Sequence, residues 1–492
     1  MVRNKSLKLN FIMNAILTIS QFIFPLITFP YVSKILLPLG TGKVSFATSI
    51  VSYFAMFAQM GIPMYGVRAC AKVRDNKKEL SKTVHELFFL NIVMSIISYA
   101  IFLLMLFLVP RLKEEKLLFL IVSSTIWFNS IGIEWLYKAL EQYTYITVRS
   151  VFFKFIALIA MFILVHRQED YIIYGAISIF ASSASCIFNF INAKKYISFE
   201  YIGGYNFKIH LKAICVFFAM SCATTIYTHL DTVMLGFMKD DIEVGYYNAA
   251  VRIKSILVSI VTSLGVVLLP RASYYIKKGM MSEFYRITQK AINFVFIIAT
   301  PMMCYFMLFA REGIYFLSSS SYKNSILPMQ LLMPTLLFIG LTNIMGIQML
   351  VPLGKEKLVL YSEIAGLIAN VTINMLLIPT MEAVGAAIGT LVAEGIVLLV
   401  QFIALKDVVI EFYKKVRYLI IFIAIFFAGV SAWGIKSIQM NLFGILLLSS
   451  LVFFGVYFGI LTILKEAQVI EIEKQVLSKI RQIYKKVFKS SK

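Results

Sequence analysis

The chain has 492 residues, of which 60% are hydrophobic and 15% are charged, whereas soluble domains contain about 25% charged residues. This composition excludes an ordinary soluble protein and indicates an integral membrane protein. The formal net charge of +22 would point to nucleic acid only if membrane topology did not explain the cations, so their positions along the chain decide the question.

Apolar stretches long enough to cross a bilayer, which takes about 20 residues, recur along the whole chain. Fourteen are present, and they lie near residues 9–33, 44–67, 85–110, 117–137, 150–166, 172–193, 213–238, 246–270, 291–310, 326–351, 358–379, 385–405, 418–437 and 442–464. The first follows MVRNKSLK without a recognisable cleavage site, so we expect it to remain as a membrane anchor. The sequence therefore predicts an all-α polytopic membrane protein with about 14 transmembrane helices.

The connections between these stretches alternate in charge. Connections after odd-numbered spans are poor in cations, as in HRQED and KDDIEVG. Those after even-numbered spans are rich in cations, and the one after the second span carries Arg68, Lys72, Arg74, Lys77, Lys78 and Lys82. By the positive-inside rule the basic side is cytoplasmic, which places both termini inside the cell. Topology and attraction to anionic membrane lipids then explain the net charge, and no nucleic-acid partner is needed.

Residues 465–492 form a basic tail with regularly spaced apolar residues. These are Val469, Ile472, Val476, Ile480, Ile483 and Val487, with cations between them. The pattern is typical of an amphipathic helix that lies on the inner, cytoplasmic leaflet. A helix that docks on a partner protein is the alternative.

The stretch LLPLGTGKVSFATS carries Gly-Thr-Gly-Lys at residues 40–43, which resembles the end of a nucleotide-binding phosphate loop. Such a loop needs Gly, four residues and then Gly-Lys-Ser/Thr. Here Leu37 stands in place of the first glycine and Val44 in place of the hydroxyl residue, which argues against ATP binding. We expect instead the exterior turn between the first two spans, where Gly40 and Gly42 adopt positive φ or permit close packing.

The same stretch recurs in the second half of the chain. TGKVSFATSI aligns with VGYYNAAVRI, which places Gly42 on Gly245, and at the same offset an Arg-Ala pair ending at Ala69 falls on one ending at Ala272. The offset covers six spans, an even number, so the two halves would share one orientation. We therefore predict two parallel-repeat six-helix bundles plus two extra helices. The predicted domains are an N-terminal bundle at 1–212, a C-terminal bundle at 213–405, two additional helices at 406–464 and the tail at 465–492.

Ionisable residues inside the predicted spans cost at least about 2.5 kcal/mol each near the bilayer centre, so they usually face a cavity or a partner. They are Glu134, Lys138, Lys154, His229, Asp231, Arg252, Lys254, Glu363 and Glu394. Glu134 and Lys138, spaced i,i+4, favour an interfacial ion pair. Lys154 and Glu363 lie about one turn from the inner surface, where they can snorkel. Neither His229 nor the five cysteines show the spacing of metal ligands, so we expect no metal site.

The remaining charges are candidates for a functional site. Asp231 near the outer end of the seventh span and Arg252 near that of the eighth could form a charge pair across this hairpin or bind substrate. Arg252 and Lys254 point about 200° apart on a helix, so at most one of them faces a central cavity squarely. Glu394, the most centrally placed carboxylate, suits either a proton or sodium site or a hydrogen bond to a neighbouring helix.

Residues 29–84 resemble polysaccharide flippases of the multidrug/oligosaccharidyl-lipid/polysaccharide exporter superfamily. The motifs that carry the resemblance are the Leu-x-Gly turn, SFATSIVSYF and GIPMYGVR followed by K-x-R-D. A second block, LDTVMLGFMKDDIEVGYYNAAVRI with GVVLLPRAS, resembles the same family, and GAAIGTLVAE does so more loosely. The resemblance covers most of the first twelve spans.

The resemblance implies two six-helix bundles around a central cavity that opens alternately to either side of a bacterial cell membrane. The implied substrate is an undecaprenyl-diphosphate-linked oligosaccharide for O-antigen, capsule or teichoic-type polymers, with polysaccharide polymerase machinery as a further partner. Cavity cations would hold the diphosphate, because arginine binds phosphate bidentately. Arg252 matches a cavity arginine of related lipid II flippases, with Lys254 and the outer-surface Lys34 as further candidates. Gln21 stands where that relative has arginine.

We therefore expect a non-enzymatic flippase without a bound cofactor, with coupling to H⁺ or Na⁺ as one means of driving it. An ion-coupled multidrug or metabolite exporter of the same fold is the alternative, because fold does not settle substrate. A membrane enzyme is disfavoured, because the longest exterior connection, residues 311–325, has about fifteen residues and carries neither a histidine nor a carboxylate pair.

Overall fold

The computed structural model describes residues 7–471, 473–474 and 478, and these form helices and connecting turns without β-strands. The all-α fold class is confirmed. Of the apolar residues in the predicted tail, Val469 is buried. The others lie outside the described residues: Ile472, Val476, Ile480, Ile483 and Val487.

Helices follow one another along the chain with short connections. In chain order they are α1 (Leu7–Gln59), α2 (Ile62–Val73), α3 (Lys77–Leu108), α4 (Pro110–Lys113), α5 (Lys116–Ile131), α6 (Glu134–Ala139), α7 (Tyr143–Leu164), α8 (Tyr171–Ser183), α9 (Ser185–Ala193), α10 (Lys208–Met238), α11 (Asp241–Lys277), α12 (Met281–Leu308), α13 (Ala310–Leu317), α14 (Ile326–Leu332), α15 (Thr335–Thr342), α16 (Glu356–Lys414), α17 (Tyr418–Trp433) and α18 (Leu442–Ile463). Short 3₁₀-helices lie at Gln168–Asp170, Ser320–Ser325 and Gly434–Ser437, and a π-helix lies at Asn343–Leu350.

Two helices, α1 and α16, are too long for a single membrane crossing. They contain 53 and 59 residues, about 80 and 90 Å in length, against a hydrocarbon core of about 30 Å. Each is broken at one residue, Leu37 (φ 56°, ψ −178°) in α1 and Glu382 (φ 54°, ψ −130°) in α16. Leu37 precedes Pro38, and a proline pushes the residue before it out of the α region. Each helix therefore comprises two arms that meet at the break.

Eleven helical segments of the described chain are long and apolar enough to cross a membrane, and the bent pair Ser320–Leu332 with Thr335–Leu350 brings the count to twelve. Two of the eleven contain the breaks in α1 and α16. Each of these can hold two spans, and the count of fourteen stays a prediction. The helix starts differ more. α7 begins at Tyr143 rather than near residue 150, and α11 begins at Asp241 rather than near residue 246.

The chain folds as two compact units. The first consists of Met1–Asn248 and Leu317–Tyr322, and the second of Ala249–Phe316 and Lys323–Lys492. In the first unit, α1 packs against α3, α5, α7 and α10. In the second unit, α16 packs against α14 and α15, and α17 packs along α18. The domain boundaries inferred from the sequence repeat stay predictions.

The turn expected at residues 40–43 is helical, and Leu37 rather than a glycine adopts the positive φ. The glycines serve close packing instead. Within the first unit, a Cβ atom at Gly42 would lie 1.6 Å from the carbonyl oxygen of Asp241, and one at Gly245 would lie 2.1 Å from that of Pro38. Here the two helix backbones touch, which only glycine permits.

This contact is reciprocal between the two halves of the sequence repeat. Pro38 and Asp241 are separated along the chain by the same number of residues as Gly42 and Gly245. Each glycine therefore packs on the carbonyl group of the residue that corresponds, in the other half, to its own neighbour one turn earlier. The close-packing alternative for Gly42 is confirmed.

We expect Gly42→Ala to destabilise the first unit, because the added methyl group would overlap the Asp241 carbonyl group. Overpacking of this kind costs about 1–3 kcal/mol, so the melting temperature of the purified protein in detergent should fall by several degrees. Gly455→Ala in α18 is a matched control, since nothing lies within 4 Å of the added Cβ atom. Equal melting temperatures for the two variants would contradict the close backbone contact.

Candidate functional site

A polar patch on α10 contains Asp231, one of the predicted site residues. Asp231 is 7% exposed, and its Oδ2 accepts a hydrogen bond of 2.6 Å from the Tyr247 hydroxyl group in α11. Two residues earlier, His229 Nδ1 lies 3.1 Å from Ser49 Oγ in the second arm of α1, and the Tyr53 ring packs edge-on against the His229 ring. A neutral hydroxyl group thus binds one oxygen of the Asp231 carboxylate. The charge pair with Arg252 stays a prediction.

Arg252 and Lys254 lie further along α11, and both side chains are half-buried. Arg252 is eleven residues from the start of the helix, about 16 Å along its axis. Ser255, Ser259 and Ser263 follow at i+3, i+7 and i+11 on the Arg252 side, whereas Lys254 points about 200° away. This polar side favours Arg252 over Lys254 as the cation that faces a water-filled space.

Glu394 is buried in the second arm of α16. Glu363 in the first arm lies one turn before Gly366, which packs on Ala393, the neighbour of Glu394. The two arms are joined by a hydrogen bond of 3.0 Å from Gln401 Nε2 to Ser362 Oγ, and they pack closely at Gly366. One added positive charge, either a proton or a sodium ion, would relieve the repulsion between two neighbouring carboxylates. Nowhere in the described ranges do three His, Cys, Asp or Glu residues group closely enough to hold a metal ion.

Lys34 and Lys43 lie on either side of the break in α1. Lys43 Nζ is 2.5 Å from Glu115 Oε1 and 4.6 Å from the centre of the Tyr171 ring, and the Tyr171 hydroxyl group donates to Glu115 Oε2 at 2.7 Å. Lys34 is exposed, and no carboxylate among the residues that the structure describes pairs with it. The ion pair neutralises Lys43, so Lys34 is the better candidate for attracting an anion.

Arg111 in α4 links several helices at the end of the first unit where Lys43 lies. Its guanidinium group lies 2.6 Å from Asp241 Oδ1 and 2.7 Å from Glu114 Oε2, and its Nε donates to the Gly236 carbonyl group at 3.0 Å. Burial alone would lower the pKa of Arg111, but the hydrogen bonds and charges of Asp241 and Glu114 raise the pKa above its ordinary value. Arg111 therefore stays charged and fastens α4 to the turn between α10 and α11.

Lys154 lies further from the end of its helix than the sequence predicts, and snorkelling of its side chain stays a prediction. The 22 residues of α7 span about 33 Å, close to the thickness of the hydrocarbon core, and Lys154 lies halfway along the helix. Its Nζ donates a hydrogen bond of 2.9 Å to Ser20 Oγ in α1. The difference arises because the polar and aromatic residues YTYITVR were taken as a connection, although they form the first two turns of α7.

Arg149 was missed by the sequence analysis for the same reason. Its side chain is 9% exposed, one of its terminal nitrogens donates to Asn189 Oδ1, and its guanidinium carbon lies 5.5 Å from the centre of the Tyr145 ring. Its Nε has no hydrogen-bond partner within the described part of the chain. Extending the predicted helix to Tyr143 would have placed this cation inside the membrane and marked it as a candidate.

The ion pair expected between Glu134 and Lys138 is confirmed at 2.9 Å. Glu134 is also close enough to attract both Arg149 and Lys154 electrostatically. In the first unit, the Glu134 carboxylate therefore attracts three cations, which are Lys138, Arg149 and Lys154.

A buried hydrogen-bonded chain, also missed by the sequence analysis, joins three helices of the first unit. His210 at the start of α10 has its Nε2 2.7 Å from Glu86 Oε2 in α3 and its Nδ1 2.8 Å from the Tyr65 hydroxyl group in α2. The backbone N–H of Asn206 donates to the other Glu86 oxygen at 2.7 Å. These bonds fasten the connection between α9 and α10, which indicates a structural role.

Two family models match the chain. The one described as "Polysaccharide biosynthesis protein" matches residues 7–276, more than half of the chain, and the one described as MatE matches residues 217–376. Among curated proteins, the "Putative O-antigen transporter" of Escherichia coli (strain K12) is 25% identical over 402 residues, which cover 80% of this chain and 95% of that protein. The "Putative O-antigen transporter" of Shigella dysenteriae is 24% identical over 398 residues, which cover 79% of this chain and 97% of that protein.

Solved structures share the fold at low sequence identity. The lipid II flippase MurJ in its inward closed conformation aligns with a TM-score of 0.73 and 16% identity over 92% of this chain and 99% of that one. A multidrug resistance MATE family transporter of the MOP superfamily, in an inward-facing conformation, aligns with a TM-score of 0.64 and 14% identity. The alignment covers 82% of this chain and 99% of that one. The family match and the fold agree with the resemblance in the sequence motifs. The chain belongs to the polysaccharide biosynthesis protein family of the multidrug/oligosaccharidyl-lipid/polysaccharide exporter superfamily.

Proposed function

We propose that the protein is a flippase that moves an undecaprenyl-diphosphate-linked oligosaccharide repeat unit from the inner to the outer leaflet for surface polysaccharide assembly. The observation that carries the proposal is the match over 80% of the chain to a protein named as a transporter of O-antigen, a surface polysaccharide. The family description, polysaccharide biosynthesis, supports the same substrate class.

Arg252 provides the chemistry that such a substrate needs. A diphosphate does not cross hydrocarbon without compensating positive charge, and a guanidinium group binds phosphate oxygens bidentately. The hydroxyl groups of Ser255, Ser259 and Ser263 on the same side of α11 can hydrogen-bond sugar hydroxyls. Lys34 would attract the head group at the cavity mouth, while Lys254 contributes less because it points away from this side. Alternating access of this cationic cavity completes the proposed mechanism.

The proposal includes a location and an orientation. The basic connection between α2 and α3, with Arg74, Lys77 and Lys78, supports a cytoplasmic position for that side of a bacterial cell membrane. Both termini then lie in the cytoplasm. Polysaccharide polymerase machinery, which would use the flipped repeat units, is the proposed partner on the outer side.

Coupling to H⁺ or Na⁺ is the proposed driving force, and Glu394 is its proposed site. Glu394 and Glu363 lie close to the contact between Gly366 and Ala393, and repulsion between neighbouring carboxylates favours uptake of one positive charge. Asp231, which is buried and bound to Tyr247, is the second candidate for ion coupling.

An ion-coupled multidrug or metabolite exporter is the second candidate function. The match of the MatE model to residues 217–376 and the fold shared with a multidrug resistance transporter favour it. A polymerase or ligase is set aside, because the matched relatives carry the names of transporters.

We expect deletion of the gene to leave lipid-linked repeat units on the inner leaflet and to remove surface polysaccharide. A leaflet-specific glycan assay measures the first effect, and complementation with the wild-type gene is the control. Normal export of repeat units in the deletion strain would contradict the flippase proposal. Increased drug sensitivity with unaltered surface glycan would favour the exporter.

We expect Arg252→Ala to reduce export of repeat units about tenfold or more, because a hydrogen-bonded charge is worth about 1.5–3 kcal/mol. Lys254→Ala is the matched control two residues away on the other side of α11, and its export should stay near normal. Surface glycan per cell, normalised to the amount of each variant in the membrane, is the measurement. Near-normal export in both variants would refute the assignment of Arg252 to the cavity.

We expect Glu394→Gln to abolish the dependence of flipping on an imposed ion gradient in proteoliposomes, because the amide keeps the shape but not the charge. Applying a pH gradient and a sodium gradient separately identifies the ion. Glu411→Gln, at an exposed position paired with Lys414 in the same helix, is the control and should leave the dependence unchanged. A gradient-dependent rate that survives in Glu394→Gln would rule out this site.

A further inference from the structure

Lys154 lies halfway along α7, a helix long and apolar enough to cross a membrane, and the hydrogen-bond partner of its ammonium group is neutral. Its Nζ is bound to Ser20 Oγ at 2.9 Å, and within the described ranges no carboxylate lies at ion-pair distance from it. The Ser20 hydroxyl group itself donates to the Leu17 carbonyl oxygen at 2.7 Å, so Ser20 accepts from Lys154 and fixes the ammonium group in place. An ammonium group has three N–H donors, and Ser20 accepts from one of them.

The charges around Lys154 do not balance. Glu134 attracts Lys154 and Arg149 from a distance, but it is already paired with Lys138 at 2.9 Å. These four groups comprise three cations and one carboxylate. Uncompensated positive charge inside a membrane is costly and marks a functional site by default. The group that would balance this region is an anion.

The region is also accessible to a ligand. The Lys154 side chain is half-buried rather than enclosed. Asn14 and Gln21 in the same arm of α1 as Ser20 have exposed amide side chains, and an amide group facing hydrocarbon is unfavourable. Asn14 and Gln21 share one side of this arm, which suits contact with water better than contact with lipid, and the bond to Ser20 holds the Lys154 ammonium group against the same arm.

We propose that Lys154, positioned by Ser20, is a binding site for the phosphate groups of a lipid head group, specifically the diphosphate of the lipid-linked substrate. This inference rests on the proposed function and assigns the phosphate contact to a residue of the first unit. Two donors remain on the ammonium group for phosphate oxygens, and Arg149 adds positive potential without contacting the ligand. An anionic phospholipid offers the same head-group chemistry, so the experiment compares the two lipids.

The test measures lipid binding to the purified full-length protein in detergent. The probes are undecaprenyl diphosphate, undecaprenol without phosphate, and phosphatidylglycerol. We expect Lys154→Met to weaken binding of undecaprenyl diphosphate about tenfold, Lys154→Arg to bind nearly as well as the wild type, and undecaprenol binding to stay unchanged in all variants. Lys414→Met, which removes an exposed cation that is paired with Glu411 away from this region, should change the affinity less than twofold.

Each outcome of the binding test either supports or overturns the proposed phosphate site at Lys154. Equal affinity of wild type and Lys154→Met for both phosphate-bearing lipids would overturn the proposal. If Lys154→Met loses only phosphatidylglycerol binding, and the wild type does not prefer undecaprenyl diphosphate, the phosphate site stands and the proposed substrate fails. If Lys154→Met does not fold, Ser20→Ala carries the test, since releasing the ammonium group should weaken undecaprenyl diphosphate binding severalfold. Unchanged affinity in Ser20→Ala would then overturn the proposal.

Discussion

The hydrocarbon interior of a bilayer offers no water to charged or polar groups, and this constraint decides the role of each ionisable residue in the chain. Between the predicted spans, Arg111 is paired with Asp241 and Glu114, and Lys43 is paired with Glu115. Lys154 has a neutral hydroxyl group as its hydrogen-bond partner. Arg111 and Lys43 thus have carboxylate partners, and Lys154 differs from them in its neutral partner.

The backbone contact between α1 and α11 depends on the same constraint. Helices in a membrane gain little from burying apolar side chains, so close approach and interhelical bonds hold them together. Gly42 and Gly245 allow the close approach. Asp241 makes two contacts here: its carbonyl group packs against Gly42, and its carboxylate forms an ion pair with Arg111. The stretch that resembled a phosphate loop is therefore a packing element. Its Lys43 forms an ion pair with Glu115.

Much of the fold could be predicted because hydropathy reports directly on membrane crossing. The apolar stretches gave the spans and the all-α class, and the Gly42–Gly245 match pointed to residues that do meet in the structure. Helix ends were harder, because polar and aromatic residues at the membrane interface are compatible with either a helix or a connection. Placing the start of α7 at Tyr143 instead of residue 150 moves Lys154 to the middle of its helix and brings Arg149 into the same helix.

The sequence by itself determined the membrane class, the spans, the internal repeat and the family motifs, because each of these is written in local composition and spacing. Only the tertiary structure decided which charges are compensated. The partners of Lys43, Arg111 and Lys154 come from other helices, and Asp231 is bound across the turn to α11. Coulomb and hydrogen-bond energies depend on distances of a few ångströms between residues far apart in the chain, and no pattern within a single helix contains those distances.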